Sequence, residues 1–400
     1  MTKAYVFPWF AAGFIILGFM GCSEPHSHPS STAESDWYQI NFGINDSVVI
    51  SAYAQGNHES LKLRNYGENI ALETQENGSY RIPVFDGLFQ GEWNEKGVFH
   101  GRWLDKSREP FEQTPITIQP GVPPICLEEP PVATEEIYGL TFAKEGSASW
   151  FGQLVVKKDD ESALATVRTD TGDLRYFGAE KDGEDLYKFQ TFDGAHLYRM
   201  DLTFNEKGVN GLFHSSSGYK ASISGKKLGK MPLTDPLRVQ AQGPLDFTVV
   251  VDRDSTVERW TAERFQGAVT LIDLMGTWCP NCMDEARMLK ELKSEFPGIQ
   301  IASVAFERKS NPRYVFKKFN QYQEDLGVDW PMVYGGPAKK KETSYKMHFL
   351  SGFESFPTTL ILNPEGEIAY VHSGFNGPAT GEAYEKEKQF FRAAIRSLGG

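Results

Sequence analysis

Two cysteines, Cys279 and Cys282, are separated by two residues and lie where an apolar stretch passes into a helical pattern. The run from Leu271 to Leu274 predicts a buried strand, and the helical period after Cys282 ends at Pro297. The first turn of a helix has free N–H groups and the positive end of the helix dipole, so it stabilises a thiolate. The pKa of such a thiol falls from about 8.5 to roughly 3.5–7.5. The pair can therefore close a small disulfide and exchange it with another.

The alternative chemistry for a Cys-x-x-Cys pair is half of a structural zinc site. Structural zinc usually has four ligands, commonly two such pairs or one pair followed by two histidines. The other cysteines, Cys22 and Cys126, are solitary and distant, and the eight histidines provide no matching pair nearby. His26 and His28 could bind a metal, but they belong to a flexible tether. Redox chemistry is favoured, and no metal site is predicted.

Residues 245–400 resemble the TlpA-like (ResA-like) thiol-disulfide oxidoreductases of the bacterial envelope, which have a thioredoxin fold. The matching segments are Leu271–Cys282, which ends in Trp-Cys-Pro-Asn-Cys, Glu285, Phe356–Asn363, Pro364–Ile368 and the tail Gly374–Gly381. The resemblance implies an α/β thioredoxin-like domain that acts as a protein-disulfide reductase. It implies protein disulfide substrates, a membrane thiol carrier as electron donor, and no cofactor.

The resemblance also implies roles for individual residues. Cys279 is expected to be the nucleophile and Cys282 the resolving thiol, and the two form the redox disulfide. Asp273 occupies the position of a buried acidic base in thioredoxins, where many TlpA-like proteins have asparagine, so proton transfer is predicted for it. Glu285, three residues after the second cysteine, is the second candidate. Either carboxylate could instead be a helix-dipole partner or a satisfied buried group.

A substrate-binding surface is implied beside the cysteines, formed by Trp278, Pro280, Phe356, Pro357 and Thr358. Pro357 matches a proline that is cis in this fold and faces the cysteine pair, although only about 5–6% of X–Pro bonds are cis. This geometry would expose the backbone of Phe356 to a partner peptide. Trp278 is expected to form an apolar rim of the site, and otherwise would be an ordinary core aromatic.

Two other functions fit parts of the sequence. Peroxiredoxins share the fold, but their nucleophile follows a Pro-x-x-x-Thr/Ser-x-x-Cys pattern. Thr277 lies two residues before Cys279 without a proline upstream in the strand, so a thiol-dependent peroxidase is the weaker interpretation. The other function is a β-domain binding protein with an accessory redox domain. Loss of binding on deletion of residues 36–230, with reductase activity intact, would favour it.

A chain of 400 residues with a formal net charge of −12 is too long for one thioredoxin domain and argues against a nucleic-acid partner. From residue 37 to about 230, short alternating runs separated by Gly, Asn and Asp predict β structure. Phe-Asp-Gly at 85–87, followed by an Asn-Glu-Lys-Gly segment, recurs at 192–194. This weak duplication could form two small sandwiches or one larger sandwich or barrel, of which a single composite unit is preferred.

The N-terminus predicts export. Lys3, an apolar run over residues 4–20 and the sequence Gly-Cys-Ser at 21–23 are typical of a secretory signal peptide. Cys22 is expected to be the diacylated first residue of an envelope lipoprotein facing the periplasm, although the usual lipobox leucine is replaced by Phe19. The alternatives are a simple cleaved signal or an uncleaved anchor, barely long enough for about 20 spanning residues.

The predicted organisation follows from these patterns. It comprises a signal peptide (1–21), a lipid-anchored flexible tether (22–35), a β-rich region (36–230) with related halves (about 36–119 and 135–230), a linker (231–244) and the thioredoxin-like domain (245–400). In that domain, strands are predicted over 247–251, 269–274, 299–306, 328–333, 358–362 and 367–371, and helices over 311–326 and 384–398.

Three features of the β-rich region receive no functional assignment. The segments Thr171–Tyr176 and Phe192–His196 resemble the β-rich region that precedes some TlpA-like domains, for which no chemistry is inferred. Asp193 and His196 are three residues apart, and a structural role is favoured for both. Cys126, in the Pro-rich stretch between the halves, is predicted to be an unpaired thiol, with a mixed disulfide or an inert role as alternatives.

Overall fold

The computed structural model of the protein describes residues 36–45, 47–108, 110–216, 218–229 and 235–400. These residues form two nine-stranded sheets in the N-terminal region and a seven-stranded sheet combined with helices in the C-terminal region. The prediction of an all-β region followed by an α/β thioredoxin-like domain is confirmed.

The first sheet is antiparallel and barrel-like. Its strands are β1 (Trp37–Asn45), β2 (Val48–Asn57), β3 (Ser60–Asn65), β4 (Glu68–Ala71), β5 (Glu73–Thr74), β6 (Tyr80–Ile82), β7 (Gly87–Trp93), β8 (Phe99–Asp105) and β9 (Glu112–Pro120). They lie in the order β4-β3-β2-β1-β9-β8-β7-β6-β5. The end strands β4 and β5 are separated in the chain only by Leu72, whose N–H donates to the Leu61 carbonyl oxygen at 2.8 Å. The sheet therefore curls back on itself.

The second sheet is also antiparallel, and it closes into a ring. Its strands are β10 (Glu136–Ala143), β11 (Trp150–Lys158), β12 (Ser162–Thr169), β13 (Gly172–Asp173), β14 (Phe177–Lys181), β15 (Leu186–Phe192), β16 (Leu197–Asn205), β17 (Gly208–Ser215) and β18 (Lys220–Leu228). Strand β11 pairs with both β10 and β12, so eight strands form a closed antiparallel barrel. The region thus consists of two barrel-like sheets that pack against each other, since the Ser51 N–H on β2 donates to Gln190 Oε1 on β15 at 2.8 Å. The preference for one composite unit stays a prediction.

The duplicated Asn-Glu-Lys-Gly motif forms a hairpin turn in both sheets, between β7 and β8 and between β16 and β17, although the register differs: Trp93 pairs with Phe99, and Phe204 with Val209. In the first copy the Asn94 side-chain oxygen accepts the N–H groups of Lys96 and Val98 at 2.9 and 3.0 Å. In the second copy the Asn205 oxygen accepts the Lys207 N–H at 2.9 Å. Such local side-chain hydrogen bonds are the reason asparagine initiates turns.

The third sheet has mixed pairing. Its strands are β19 (Asp246–Val250), β20 (Val257–Thr261), β21 (Thr270–Met275), β22 (Gln300–Glu307), β23 (Met332–Pro337), β24 (Thr358–Leu362) and β25 (Ile368–Ser373). They lie in the order β20-β19-β23-β22-β21-β24-β25, in which β21, β22 and β23 are parallel. The strands β21 and β24 are buried at every position, because they are central to the sheet.

The helices are α1 (Ile125–Glu128), α2 (Pro280–Glu295), α3 (Pro312–Leu326), α4 (Lys340–Lys346) and α5 (Glu382–Ser397). Helix α3 begins after Asn311, whose side chain accepts the N–H of Arg313, and ends at Gly327, whose φ is +61°. Both ends follow known capping preferences. The sequence analysis did not predict α1, α4 or β20, which are short elements with little periodicity.

Helix α3 packs against the first sheet. The guanidinium of Arg81 donates to the Asp325 carboxylate at 2.7 Å, and Lys318 Nζ donates to the Val84 carbonyl oxygen at 3.3 Å. Tyr314 hydrogen-bonds to the Asp86 carboxylate. The buried apolar side chains of the first sheet, α2 and α3 form one continuous cluster, to which the second sheet contributes Phe192 and Leu197, while the remaining interior of the second sheet forms a core of its own.

Candidate active site

The two cysteines lie at the junction of β21 and α2, as the sequence indicated, and form a disulfide with a Cα–Cα distance of 5.3 Å. Cys279 is the N-cap of α2, and its Sγ accepts the N–H of Cys282 at 3.2 Å. Pro280 follows as the first helical residue, where a missing N–H costs nothing. Cys279 is 6% exposed and Cys282 is 0% exposed. Cys279 is therefore the sulfur of the pair that a partner can approach.

A second loop faces the disulfide. The Phe356–Pro357 peptide bond is cis, and the Phe356 carbonyl oxygen lies 3.9 Å from Cys279 Sγ. Trp278 is half-buried; its ring contacts Phe356 edge-on at 5.9 Å, and its Nε1 donates to the Phe306 carbonyl oxygen at 3.0 Å. The residues predicted to form a substrate surface are thus largely brought together around Cys279.

Thr358 differs from this expectation. Its side chain is 1% exposed, and its hydroxyl donates to the Ser355 carbonyl oxygen at 2.8 Å. Because the hydroxyl is already used inside the protein, Thr358 stabilises the loop that carries Phe356 and Pro357 and does not offer its side chain to a partner.

Two buried carboxyl groups flank the cysteines in the chain, Asp273 on β21 and Glu285 on α2. Both are 0% exposed. Asp273 Oδ2 accepts the Ser303 hydroxyl at 3.1 Å, and Glu285 Oε1 accepts the Thr359 hydroxyl at 2.8 Å. Their other oxygens, Asp273 Oδ1 and Glu285 Oε2, take no hydrogen bond from any other described residue, and the two carboxyl groups hydrogen-bond to each other when one of them is protonated. Each carboxyl therefore keeps one oxygen available for a proton.

The two carboxyl groups are electrostatically linked. Burial raises the pKa of Asp273 from 3.8 to about 7. Burial, and then the negative charge of Asp273, raises the pKa of Glu285 well above its usual value. Two neighbouring carboxyls in a dry interior cannot both ionise at low cost, so the pair retains one proton at neutral pH. Because the charge of Asp273 adds to burial in raising the pKa of Glu285, we assign the shared proton to Glu285, which leaves Asp273 as the group able to accept another.

The loop before Cys279 is held by a third buried carboxyl. Glu307 Oε1 accepts the Thr277 N–H at 2.9 Å, and Glu307 Oε2 accepts the Thr277 hydroxyl at 3.0 Å. Burial raises the pKa of Glu307 to about 7. Sequence reasoning missed this residue, because nothing in the local pattern links the end of β22 to the turn before the cysteines.

The second barrel covers the disulfide. Residues 169–175, here called the covering segment, and residues near His196 line a partly open cleft of about 160 Å³ together with Trp278, Cys279 and Phe356. The backbone of the segment contacts the redox region directly, because Gly172 forms an isolated bridge with Phe375. This arrangement was not predicted. The only available signal was the pair of motifs at 171–176 and 192–196, to which no role was assigned.

Arg175 connects the covering segment to the start of α2 through hydrogen bonds and an ion pair. Its side chain is 2% exposed, and Nη1 donates to the Pro280 carbonyl oxygen at 3.0 Å and to Asp284 Oδ2 at 2.6 Å. Nε donates to Glu68 Oε1 at 2.6 Å. One guanidinium therefore links both barrel-like sheets to the cysteine helix.

Other predicted features lie elsewhere or outside the described residues. Cys126 on α1 is a free, fully buried thiol, and burial raises its pKa to about 11. Cys22, with the predicted signal and tether, belongs to the undescribed N-terminal residues. In the described ranges, no helix has the length and apolar character needed to cross a membrane, and no group of three or more His, Cys, Asp or Glu side chains is arranged for a metal ion.

Comparison with known proteins places residues 239–371 in a match to the model of the AhpC/TSA family. The chain is similar to the thiol-disulfide oxidoreductase ResA of Halalkalibacterium halodurans, with 25% identity over 111 residues, covering 27% of this chain and 56% of the relative. It is also similar to the thiol:disulfide interchange protein DsbE of Haemophilus influenzae, with 28% identity over 116 residues, covering 29% of this chain and 56% of the relative. The chain thus spans about half the length of these relatives.

Among solved structures, a thioredoxin-family thiol:disulfide interchange protein from Chlorobium tepidum TLS aligns with 40% of this chain and 98% of its own, at 16% identity and a TM-score of 0.29. The match to the AhpC/TSA family model begins at residue 239, six residues before the predicted start of the thioredoxin-like domain at residue 245. Val239 is buried and Ala241 bridges Leu350, so this part of the predicted linker already packs on the C-terminal region.

Proposed function

We propose that this chain, whose C-terminal region is a TlpA-like (ResA-like) member of the thioredoxin superfamily, is a thiol-disulfide oxidoreductase that reduces protein disulfides through Cys279 and Cys282. One observation carries the proposal: a disulfide at a helix N-terminus joins a reachable sulfur to a fully buried one. The buried Asp273 and Glu285 carboxyls supply the proton acceptor that the second thiol needs.

Reduction of a partner disulfide proceeds in two exchanges. The Cys279 thiolate attacks one partner sulfur, a mixed disulfide forms, and the other partner sulfur leaves and takes up a proton. Cys282 then loses its proton and attacks the Cys279 sulfur, which closes the Cys279–Cys282 disulfide and releases the second partner thiolate. Two electrons pass to the partner, and a thiol carrier must return two electrons to the pair.

The chain's own groups assist each exchange. The Cys282 N–H, 3.2 Å from Cys279 Sγ, and the start of α2 stabilise the attacking thiolate. Asp273, with its pKa near 7, can accept the Cys282 proton around neutral pH. Burial of Cys282 by the surrounding core keeps water and external thiols away from the second sulfur.

The balance of charges favours a reductase. The helix N-terminus stabilises the Cys279 thiolate, whereas the negative charge of Asp273 opposes it and that of Asp284 is offset by Arg175 at 2.6 Å. We expect a redox titration against glutathione or dithiothreitol to give a potential nearer about −270 mV, typical of thioredoxin, than about −120 mV, typical of a strong oxidant. A Cys126→Ser variant should titrate identically. A potential near the oxidising value, with a Cys279 thiol pKa below about 4, would reverse the proposed direction.

We also propose an envelope location, with the protein anchored through lipid on Cys22 and supplied with electrons by a membrane thiol carrier. The apolar run that ends at Cys22 supports this location, as does the need for a dedicated reductant in an oxidising compartment.

Cys22→Ser is expected to move the protein from the membrane fraction to the soluble envelope fraction, because stable anchoring depends on at least two acyl chains. Fractionation followed by immunoblotting measures the shift, and Ser23→Ala provides a control that keeps the cysteine. A Cys22→Ser protein that stays entirely with the membrane would count against lipidation.

A further inference from the structure

A partly open cavity in the C-terminal region is lined by residues of β19, β23 and α4. Its volume is about 1050 Å³, which is at the upper end of the roughly 300–1,000 Å³ of typical small-molecule sites. Its lining includes neither cysteine of the disulfide and no residue of the cis-proline loop. We propose that this space, here called the α4 cavity, binds a fatty carboxylate, a molecule with an apolar chain and a single negative charge.

The apolar part of the lining suits a hydrocarbon chain. The core residues Phe247 and Phe306 line the cavity, together with the backbone of Gly335 and Gly336. Tyr345 on α4 also lines it and is 86% exposed. A large aromatic side chain left in water beside core residues is a surface that an apolar ligand can cover, and covering it removes apolar area from water on both sides.

Gly336 marks the point where a cation and the apolar lining meet. Its φ is +137°, a conformation that favours glycine. A Cβ atom added there would lie 3.9 Å from Lys346 Nζ and 4.0 Å from the Phe306 ring atom Cδ1, with no closer neighbour. A ligand atom at this point therefore contacts an ammonium group and an aromatic ring at once. The junction between a carboxylate head and its hydrocarbon chain has this dual character.

The ammonium of Lys346 lacks a compensating negative charge. Its Nζ donates to the Thr248 carbonyl oxygen at 3.0 Å, and no carboxylate among the described residues pairs with it. Burial lowers the pKa of Lys346, because the cation loses water without gaining an anion. An ammonium has three N–H donors, so donors remain for a ligand. Lys341, which is exposed, is a second cation of the lining.

The two carboxylates of the lining are already paired with cations. Both oxygens of Asp246 accept hydrogen bonds from Arg259 at 2.7 Å, and Glu342 accepts one from Lys339 at 3.0 Å. One added negative charge beside Lys346 is therefore balanced. A phosphate monoester carries nearly two negative charges at neutral pH, and its second charge would be repelled by both carboxylates, so a carboxylate head is the better match.

Isothermal titration calorimetry of the full chain with decanoate, below its micelle concentration, tests the proposal. We expect decanoate to bind at least about tenfold more tightly than uncharged decanol, because hydrogen bonds to charged groups are the stronger ones. Equal affinity for decanol would overturn the carboxylate assignment. Tighter binding of decyl phosphate would overturn it in favour of a phosphate head group.

Two lysine variants test the location of the site. Lys346→Met removes the ammonium and keeps an unbranched side chain, so it should weaken decanoate binding about tenfold without changing decanol binding. Lys340→Met, at an exposed lysine of α4 outside the lining, should change neither. Decanoate bound equally well by Lys346→Met and by the unsubstituted chain would overturn the site.

Sedimentation of the ligand-free chain distinguishes a small ligand from a second copy of the protein. A monomer is expected, and a dimer that Tyr345→Ala dissociates would overturn the proposal by assigning the α4 cavity to self-association. Binding is measured without any disulfide substrate, so failure of this proposal and failure of the reductase function give separate results.

Discussion

Replacing Cys279 by serine is expected to abolish disulfide reduction, and replacing Cys282 by serine is expected to trap the partner as a mixed disulfide. Cys279 is the only sulfur of the pair with any exposure, so the first attack cannot be transferred to the 0% exposed Cys282. Without Cys282, the mixed disulfide has no internal thiol to resolve it. Turnover by either variant should fall at least about a hundredfold.

Reduction of a model disulfide, followed by non-reducing electrophoresis and mass spectrometry of the adducts, measures both effects. Cys126→Ser is the matched control, because that thiol is buried, unpaired and has a pKa raised to about 11. It should retain full activity and form no adduct. Adducts on Cys126, or normal turnover by Cys279→Ser, would contradict the assignment of the pair.

The second large effect is expected at Asp273. Asp273→Asn should slow resolution of the mixed disulfide by roughly a hundredfold, the usual contribution of general base catalysis, while leaving the first attack nearly unchanged. An amide has the shape of the carboxyl and can keep the contact to Ser303 but cannot take the Cys282 proton. Stopped-flow measurement of the two exchanges separates the steps.

The pH dependence of the resolution rate follows from the ionisation of Asp273. Asp273 must be ionised to accept a proton, and burial raises its pKa to about 7. The resolution rate should therefore rise with pH through about 7 and level off above it, and Asp273→Asn should remove this step from the profile.

Two further variants test whether the effect is specific to Asp273. Glu285→Gln should have a smaller effect than Asp273→Asn, because Glu285 already holds a proton and an amide N–H can replace that donor. Asp329→Asn, at an exposed carboxylate of the same region, should change neither step. If resolution were equally fast and showed the same pH profile in Asp273→Asn and in the unsubstituted protein, Asp273 would not be the base.

The sequence was most informative where structure is determined locally. The position of Cys279 at the start of α2, the strand bounds of β24 and the hairpins at the Asn-Glu-Lys-Gly motifs all follow from residues close together in the chain. These features depend on period, capping and turn chemistry, which short sequence patterns encode directly.

The covering segment could not be predicted from such patterns. Arg175 and Pro280 are 105 residues apart, and their contact depends on how a closed barrel is placed beside a different domain. Likewise, Asp273 could be singled out by its distance from Cys279, but its pairing with Glu285 requires knowing that β21 and α2 pack face to face. The closure of the second sheet through β11 and β12 is another long-range property that local alternation does not specify.

The packing of α3 against the first sheet affects how this chain can be divided. Because residues of the first sheet, α2 and α3 share one apolar cluster, cutting the chain near residue 235 would uncover the side of α3 that carries Phe319 and would leave Asp325 without Arg81. The excised C-terminal region would then expose an apolar surface, prone to aggregation, that the intact chain buries. Heat or denaturant should consequently unfold the first sheet and the C-terminal region in a single cooperative transition, and the second barrel is coupled to it through Phe192, which lies in the same cluster, and through Arg175.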